Sequence, residues 1–217
     1  DDADFVQGAF RLALTKTRRS GETQASLLLD ELCIYADDVD EEKIGPMVCA
    51  LFEIADELDT QSDEKKGFVG LANNRYRLHW VLNRLGHDRL QLSRREEIYR
   101  KAMEVASIDW ATDFSDRCGA HYSPAEDGRD RGEEIVGEQV AMEFKSIALE
   151  KIRAAAADGT LYRHRRLIPL LYSWMNLLPK SGADEVRAWV ATSLVNPDFV
   201  IKLARCLPSS SWSMGIG

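Results

Sequence analysis

Apolar residues recur three and four apart along almost the whole chain, and no stretch alternates as a half-buried strand requires, so the pattern predicts an all-α protein. The first run, ADFVQGAFRLALTKTRR, ends at Ser20-Gly21. From about Gln24 to Asp37, Ala25, Leu28, Leu29, Leu32, Cys33 and Ala36 share a second helical face. A third helix opens on Gly45-Pro46, because a first turn tolerates proline's missing N–H, and buries Met47, Val48, Leu51, Phe52, Ala55 and Leu58. After the polar loop DTQSDEKK, a fourth runs from Phe68 to Leu85 and stops at Gly86 in the conformation that favours positive φ. Ser93-Arg94-Arg95-Glu96 has capping-box spacing and starts a helix reaching about Ser107. A short helix spans Trp110 to Arg117.

Beyond the irregular stretch CGAHYSPAEDGRDRG, the longest helix covers Glu133 to Ala157, with Val136, Val140, Phe144, Ile147, Ala148, Ile152 and Ala155 inward and Asp158-Gly159 as its stop. Leu167 to Leu178 is apolar on nearly all sides and predicts a covered central helix. Ser181 or Gly182 opens the next, with Val186, Trp189 and Val190 inward. Asn196-Pro197-Asp198 caps the last, whose stripe is Val200, Leu203, Ala204 and Leu207. About ten helices on short loops predict stacked antiparallel helix pairs, as an irregular α-solenoid or a multi-helix bundle. No tetratricopeptide, ankyrin or leucine-rich period is readable. The expected organisation is a helical half over 1–118, an exposed loop over 119–132, a second helical half over 133–207 and a flexible tail over 208–217, forming one continuous helical domain. A start at DDADF without methionine and an end at PSSSWSMGIG read as a piece of a longer protein.

The 45% hydrophobic and 29% charged fractions fit a globular chain, and no window approaches the apolar length of a membrane span. A net charge of -8 repels nucleic acid and anionic membrane, so such a contact would need a local basic patch. Cys33, Cys49, Cys118 and Cys206 form no CxxC pair, which predicts reduced thiols and a cytoplasmic chain.

Candidate chemistry is sparse. ASLLLDEL, residues 25 to 32, imitates the magnesium-binding strand of a nucleotide hydrolase, but GxxxxGK[ST] is absent and its apolar spacing is helical. Cys118 and His121 fall short of a four-ligand zinc site. DDVDEE lacks the spacing of a calcium loop and suits a helix N-terminus better. His79, His87, His121 and His164 accompany no GxSxG elbow. The cluster Arg163-His164-Arg165-Arg166, after a tyrosine, is a candidate anion or partner contact, with bridging to acidic neighbours as the commoner role of such a run. Trp80, Trp110, Trp174, Trp189 and Trp212 are candidate rigid contacts for a partner, but buried packing accounts for most tryptophans, and only Trp212, in the polar tail, is expected to be exposed.

Three segments carry a family resemblance: ALFEIADELDTQSDEKKGF (50–68), LEKIRAAAADGTLYRHRRLIPLLYSWMNL (149–177) and EVRAWVATSLVNPDFVIKLA (185–204). Together they resemble the C-terminal helical region of bacterial KAP-type P-loop NTPases. The resemblance covers about a third of the chain and includes no catalytic motif. It implies that ATP and magnesium act in a separate N-terminal domain, that this chain carries no catalytic, cofactor or metal residue, and that its partner is that NTPase domain or another protein, in bacterial defence or signalling. A stand-alone helical-repeat scaffold and a nucleic-acid-binding segment are the alternatives.

Overall fold

A computed structural model describes residues 2–14, 24–59, 74–119, 135–164, 167–178 and 183–206. All regular elements among them are helical, and the all-α expectation holds. In order they are α1 (Asp2–Leu14), α2 (Gln24–Ile34), α3 (Glu41–Glu53), α4 (Ala55–Asp59), α5 (Asn74–Leu82), α6 (Leu92–Val105), α7 (Ile108–Gly119), α8 (Glu138–Ala157), α9 (Leu167–Leu177), α10 (Ala183–Ser193) and α11 (Pro197–Cys206). Single 3₁₀ turns follow α2 (Ala36–Asp38) and α8 (Leu161–Arg163), and a π turn, Asn83–His87, prolongs α5. The chain forms two compact units, Asp1–Ile147 and Ala148–Gly217, with α8 divided between them.

In the first unit, alternate helices lie side by side and run the same way, as paired contacts along each show. Gln7 and Arg11 of α1 reach Glu53 and Glu57, each 46 residues on. Arg77 and Arg84 reach back to Asp30 and Asp37 of the α2 strip. Arg75 of α5 lies over Trp110 of α7, and His79 stacks on Phe114 one turn further along both helices. Glu96 of α6 accepts a hydrogen bond from the Gly137 amide, and Arg100 bonds Glu143 of α8 at 2.8 Å. One layer therefore holds α1, α3, α6 and the start of α8, and the other α2, α5 and α7, stacked helices of a multi-helix bundle. Apolar spacing supplies the glue. Phe52, Tyr99, Trp110, Phe114 and Phe144 are buried and meet at ring-centroid distances of 4.9 to 6.2 Å, mostly edge-on or tilted, the geometry aromatic quadrupoles favour.

The second unit pairs the end of α8 with α10. Arg153 makes two 2.8 Å bonds to Glu185, and Trp189 Nε1 donates to the Ala156 carbonyl at 3.4 Å. Trp189 bridges Trp174 of α9 and Phe199 of α11, and Tyr162 closes on Phe199 edge-on. Gly159 ends α8 at φ 65, the left-handed conformation expected of it, with the Thr160 amide bonding back to the Ala155 carbonyl. Asn196 caps α11 as its sequence foretells, its side-chain oxygen accepting from the Asp198 amide at 2.9 Å.

Other local expectations are corrected. Helix α3 begins at Glu41, placing Glu41 and Glu42 in the first turn, where their charge suits the helix dipole; Pro46 lies inside. Gly86 has no positive φ. It is buried in the π turn, where an added Cβ would lie 2.3 Å from the Tyr99 hydroxyl, so glycine is required there for close approach. The Ser93–Glu96 capping box does not form: α6 starts at Leu92 with Gln91 as its N-cap, two residues before Ser93, and the Glu96 carboxylate serves Gly137 at 2.9 Å instead. Helix α9 is not covered all round, since Tyr172 is exposed opposite buried Leu170, Leu171 and Trp174. On α11 the stripe is turned: Phe199 is buried, while Val200 and Ala204 face out and Leu207 lies outside the described residues. The loop 119–132 and tail 208–217, with Trp212, also fall almost wholly outside them.

Candidate functional site

The basic cluster is only partly in view. Arg163 is exposed, its guanidinium 5.9 Å from the centroid of the adjacent Tyr162 ring, and His164 is half-buried; Arg165 and Arg166 lie outside the described residues. Nothing described draws further basic groups to Arg163.

Helix α5 concentrates the chemistry instead. Its stripe Leu78, Val81, Leu82, continued by Leu85, is fully buried and fixes the rotation of the helix. That rotation turns Arg75 and His79 towards α7. His79 Nε2 lies 2.7 Å from Asp113 Oδ2, Arg75 lies 3.3 Å from the other carboxylate oxygen, and Arg75 also reaches Asp56 of α4 at 3.7 Å. The His79 ring packs on Trp110 with centroids 4.6 Å apart. Burial pushes the His79 pKa below its ordinary value, against the opposing pull of Asp113, so the imidazole is neutral and donates its Nε2 proton to the carboxylate. For Asp113 burial acts in the raising direction, but the hydrogen bond from His79 and the charge of Arg75 outweigh it and hold the carboxyl low. A neutral donor and an arginine, both buried, meet one half-buried carboxylate and act as a clamp between α5 and α7. None of the three described cysteine thiols is activated, since burial raises the thiol pKa of Cys33 and Cys49 and pushes Cys118 up to about 12. No group of three or more metal-ligating side chains exists among the described residues, and no described helix is long and apolar enough to cross a membrane.

The opposite edge of α5 faces α2. Two ion pairs mark the seam: Asp30–Arg77 at 2.9 Å and Asp37–Arg84 at 2.8 Å, the partners in each helix strip seven residues apart. Helical spacing sets Ile34 between Asp30 and Asp37, and Trp80 between Arg77 and Arg84, in the middle of that seam. Both point to solvent, Ile34 65% and Trp80 54% exposed, and the neighbouring Tyr35 is 57% exposed. The sequence offers Trp80 as a candidate contact but predicts it buried; the structure corrects that, with the side chain exposed. The signal was present, since a residue two away from both Leu78 and Leu82 sits about 200° round the helix from each. The His79–Asp113 pairing had no local signal, because its halves lie 34 residues apart. Comparison with known proteins supplies no relative from which to transfer a site: no family model, no curated protein and no solved structure matches the chain.

Proposed function

We propose that this chain is a noncatalytic helical interaction domain, acting as the regulatory region that follows the ATPase domain in KAP-type P-loop NTPases. The observation that carries the interaction reading is the open aromatic and aliphatic strip on the α2–α5 seam. Tryptophan is concentrated at binding hot spots, where a central apolar anchor is ringed by polar groups, and Trp80 between two ion pairs has that composition. The clamp at His79 supports the same reading, since it fixes the helix turn that presents Trp80. The NTPase connection rests on the three resembling segments alone.

Two measurements test the proposal. A photo-reactive phenylalanine analogue in place of Trp80 should cross-link in the native host to one protein or to an upstream domain of the same polypeptide. The same group at Met142, exposed on α8, should not give that product. Equal products at both positions contradict an interaction site on the seam. The NTPase connection requires GxxxxGK[ST] in the reading frame upstream of Asp1 and no phosphate release from ATP by this chain alone; a frame without the motif removes it.

A further inference from the structure

The α2–α5 seam has a charge pattern as well as an apolar one. From Asp30 to Asp38, the strip that borders the seam, the chain carries four carboxylates and no basic residue. Among the described residues, few cations answer them. Arg77 holds Asp30, while Arg84 is shared between Asp37 at 2.8 Å and Asp88 at 3.1 Å. Lys43 stands 3.8 Å from Asp40, and the Arg89 guanidinium is directed to the carbonyls of Ala36 and Val39. The edge bordering Ile34, Tyr35 and Trp80 is therefore acidic in excess, with Glu31, Asp37 and Asp38 all exposed beside it.

That combination selects among occupants. A second copy would bring like edges together in a chain already at -8, and an anionic membrane would be repelled for the same reason. An amphipathic helix with an apolar stripe and flanking lysine or arginine satisfies both halves of the surface. The seven-residue step between the two ion pairs corresponds to about 10 Å along a helix, so two to three turns of such a ligand span it. We propose that the α2–α5 seam docks a basic amphipathic helix of a protein partner, its apolar face on Trp80 and Ile34 and its cations against the acidic edge. This rests on the interaction-domain reading and adds the chemistry of the partner to it.

The test uses a labelled helical peptide of leucine and lysine, about 15 residues long so that it is helix-competent, and its counterpart with glutamate for lysine. Fluorescence anisotropy is read against the chain and its Trp80→Ala, Ile34→Ala and Met142→Ala variants. The leucine–lysine peptide should bind, weaken at least tenfold with Trp80→Ala and with Ile34→Ala, be unaffected by Met142→Ala, and lose affinity as salt rises. The glutamate peptide should not bind. All three replaced side chains are exposed, so unchanged circular dichroism melts should accompany these results. Equal affinity for the parent and Trp80→Ala, or equal binding of the two peptides, overturns the proposal. So does sedimentation of the parent as a dimer that Trp80→Ala dissociates; that outcome makes the seam a self-contact and leaves the interaction reading standing without this partner.

Discussion

Replacing Gly86 with alanine tests how the two layers of the first unit are joined. The added methyl would sit 2.3 Å from the Tyr99 hydroxyl oxygen and 3.1 Å from the ring carbon bearing it. Tyr99 has no room to retreat: it is buried, its ring meets Phe114 at 5.1 Å and Phe52 at 6.1 Å, and its hydroxyl donates to the Leu82 carbonyl at 3.0 Å. Forcing a methyl into a packed interior costs about 1–3 kcal/mol. Displacing the hydroxyl from Leu82 adds about 1 kcal/mol. Alanine's backbone advantage over glycine, about 1 kcal/mol at most in a helix, offsets part of this. A net loss of about 2 kcal/mol should appear in urea unfolding followed by circular dichroism and tryptophan fluorescence. Tyr99→Phe alone should cost about 1 kcal/mol through the lost hydrogen bond. Combined with Gly86→Ala it should recover stability, because the clashing oxygen is gone, giving a coupling of about 1 kcal/mol or more in the double-mutant cycle. A neutral Gly86→Ala, or strictly additive effects in the cycle, would refute the close-approach explanation.

Further outcomes follow from the same geometry. His79 has a folded pKa below its ordinary 6.5, so the unfolded chain takes up the proton first as pH falls. Its contribution is complete above about pH 7 and is lost through the window from 6.5 down to the depressed value; His79→Gln should flatten that part of the urea-midpoint profile and cost about 2–3 kcal/mol at neutral pH. Asp113, also depressed, keeps its contribution above its ordinary 3.8 and loses it only in stronger acid, so Asp113→Asn should alter the acid limb below that value. Ser93→Ala should change stability little and Glu96→Ala by about 1–2 kcal/mol, measured by urea unfolding; comparable losses would restore the capping box that the Gly137 contact replaces. Gly159→Ala should cost about 1 kcal/mol in the same measurement, from the strain of a side chain at positive φ, although the space around it is open.

Features that depend on a residue and its immediate neighbours were readable in the sequence. Apolar spacing located the buried faces at Val48, Leu51 and Phe52 and at Val140, Phe144 and Ala148. Gly159 and Asn196 act within one turn of their own helices, so local rules sufficed. Features set by a distant partner were not readable. Gly86 is defined by Tyr99, Glu96 by Gly137 and His79 by Asp113, and in each case local propensity supplied a plausible but different role. Trp80 differs for another reason: its position outweighs its residue type, since the buried Leu78–Val81–Leu82–Leu85 stripe leaves it on the outward face. The α11 stripe went astray similarly, because Phe199, immediately after the cap, is the side chain that Tyr162 and Trp189 enclose.

The central claim is that Trp80 is an open anchor on a docking surface, and its chemical accessibility tests this most directly. Limited oxidation with N-bromosuccinimide, read residue by residue by peptide mass spectrometry, should modify Trp80 well before the buried Trp110 and Trp174. Saturating leucine–lysine peptide should then slow Trp80 and leave the other two unchanged. A Trp80 as protected as Trp110 in the free chain, or one oxidised at the same rate with and without the peptide, would contradict the account.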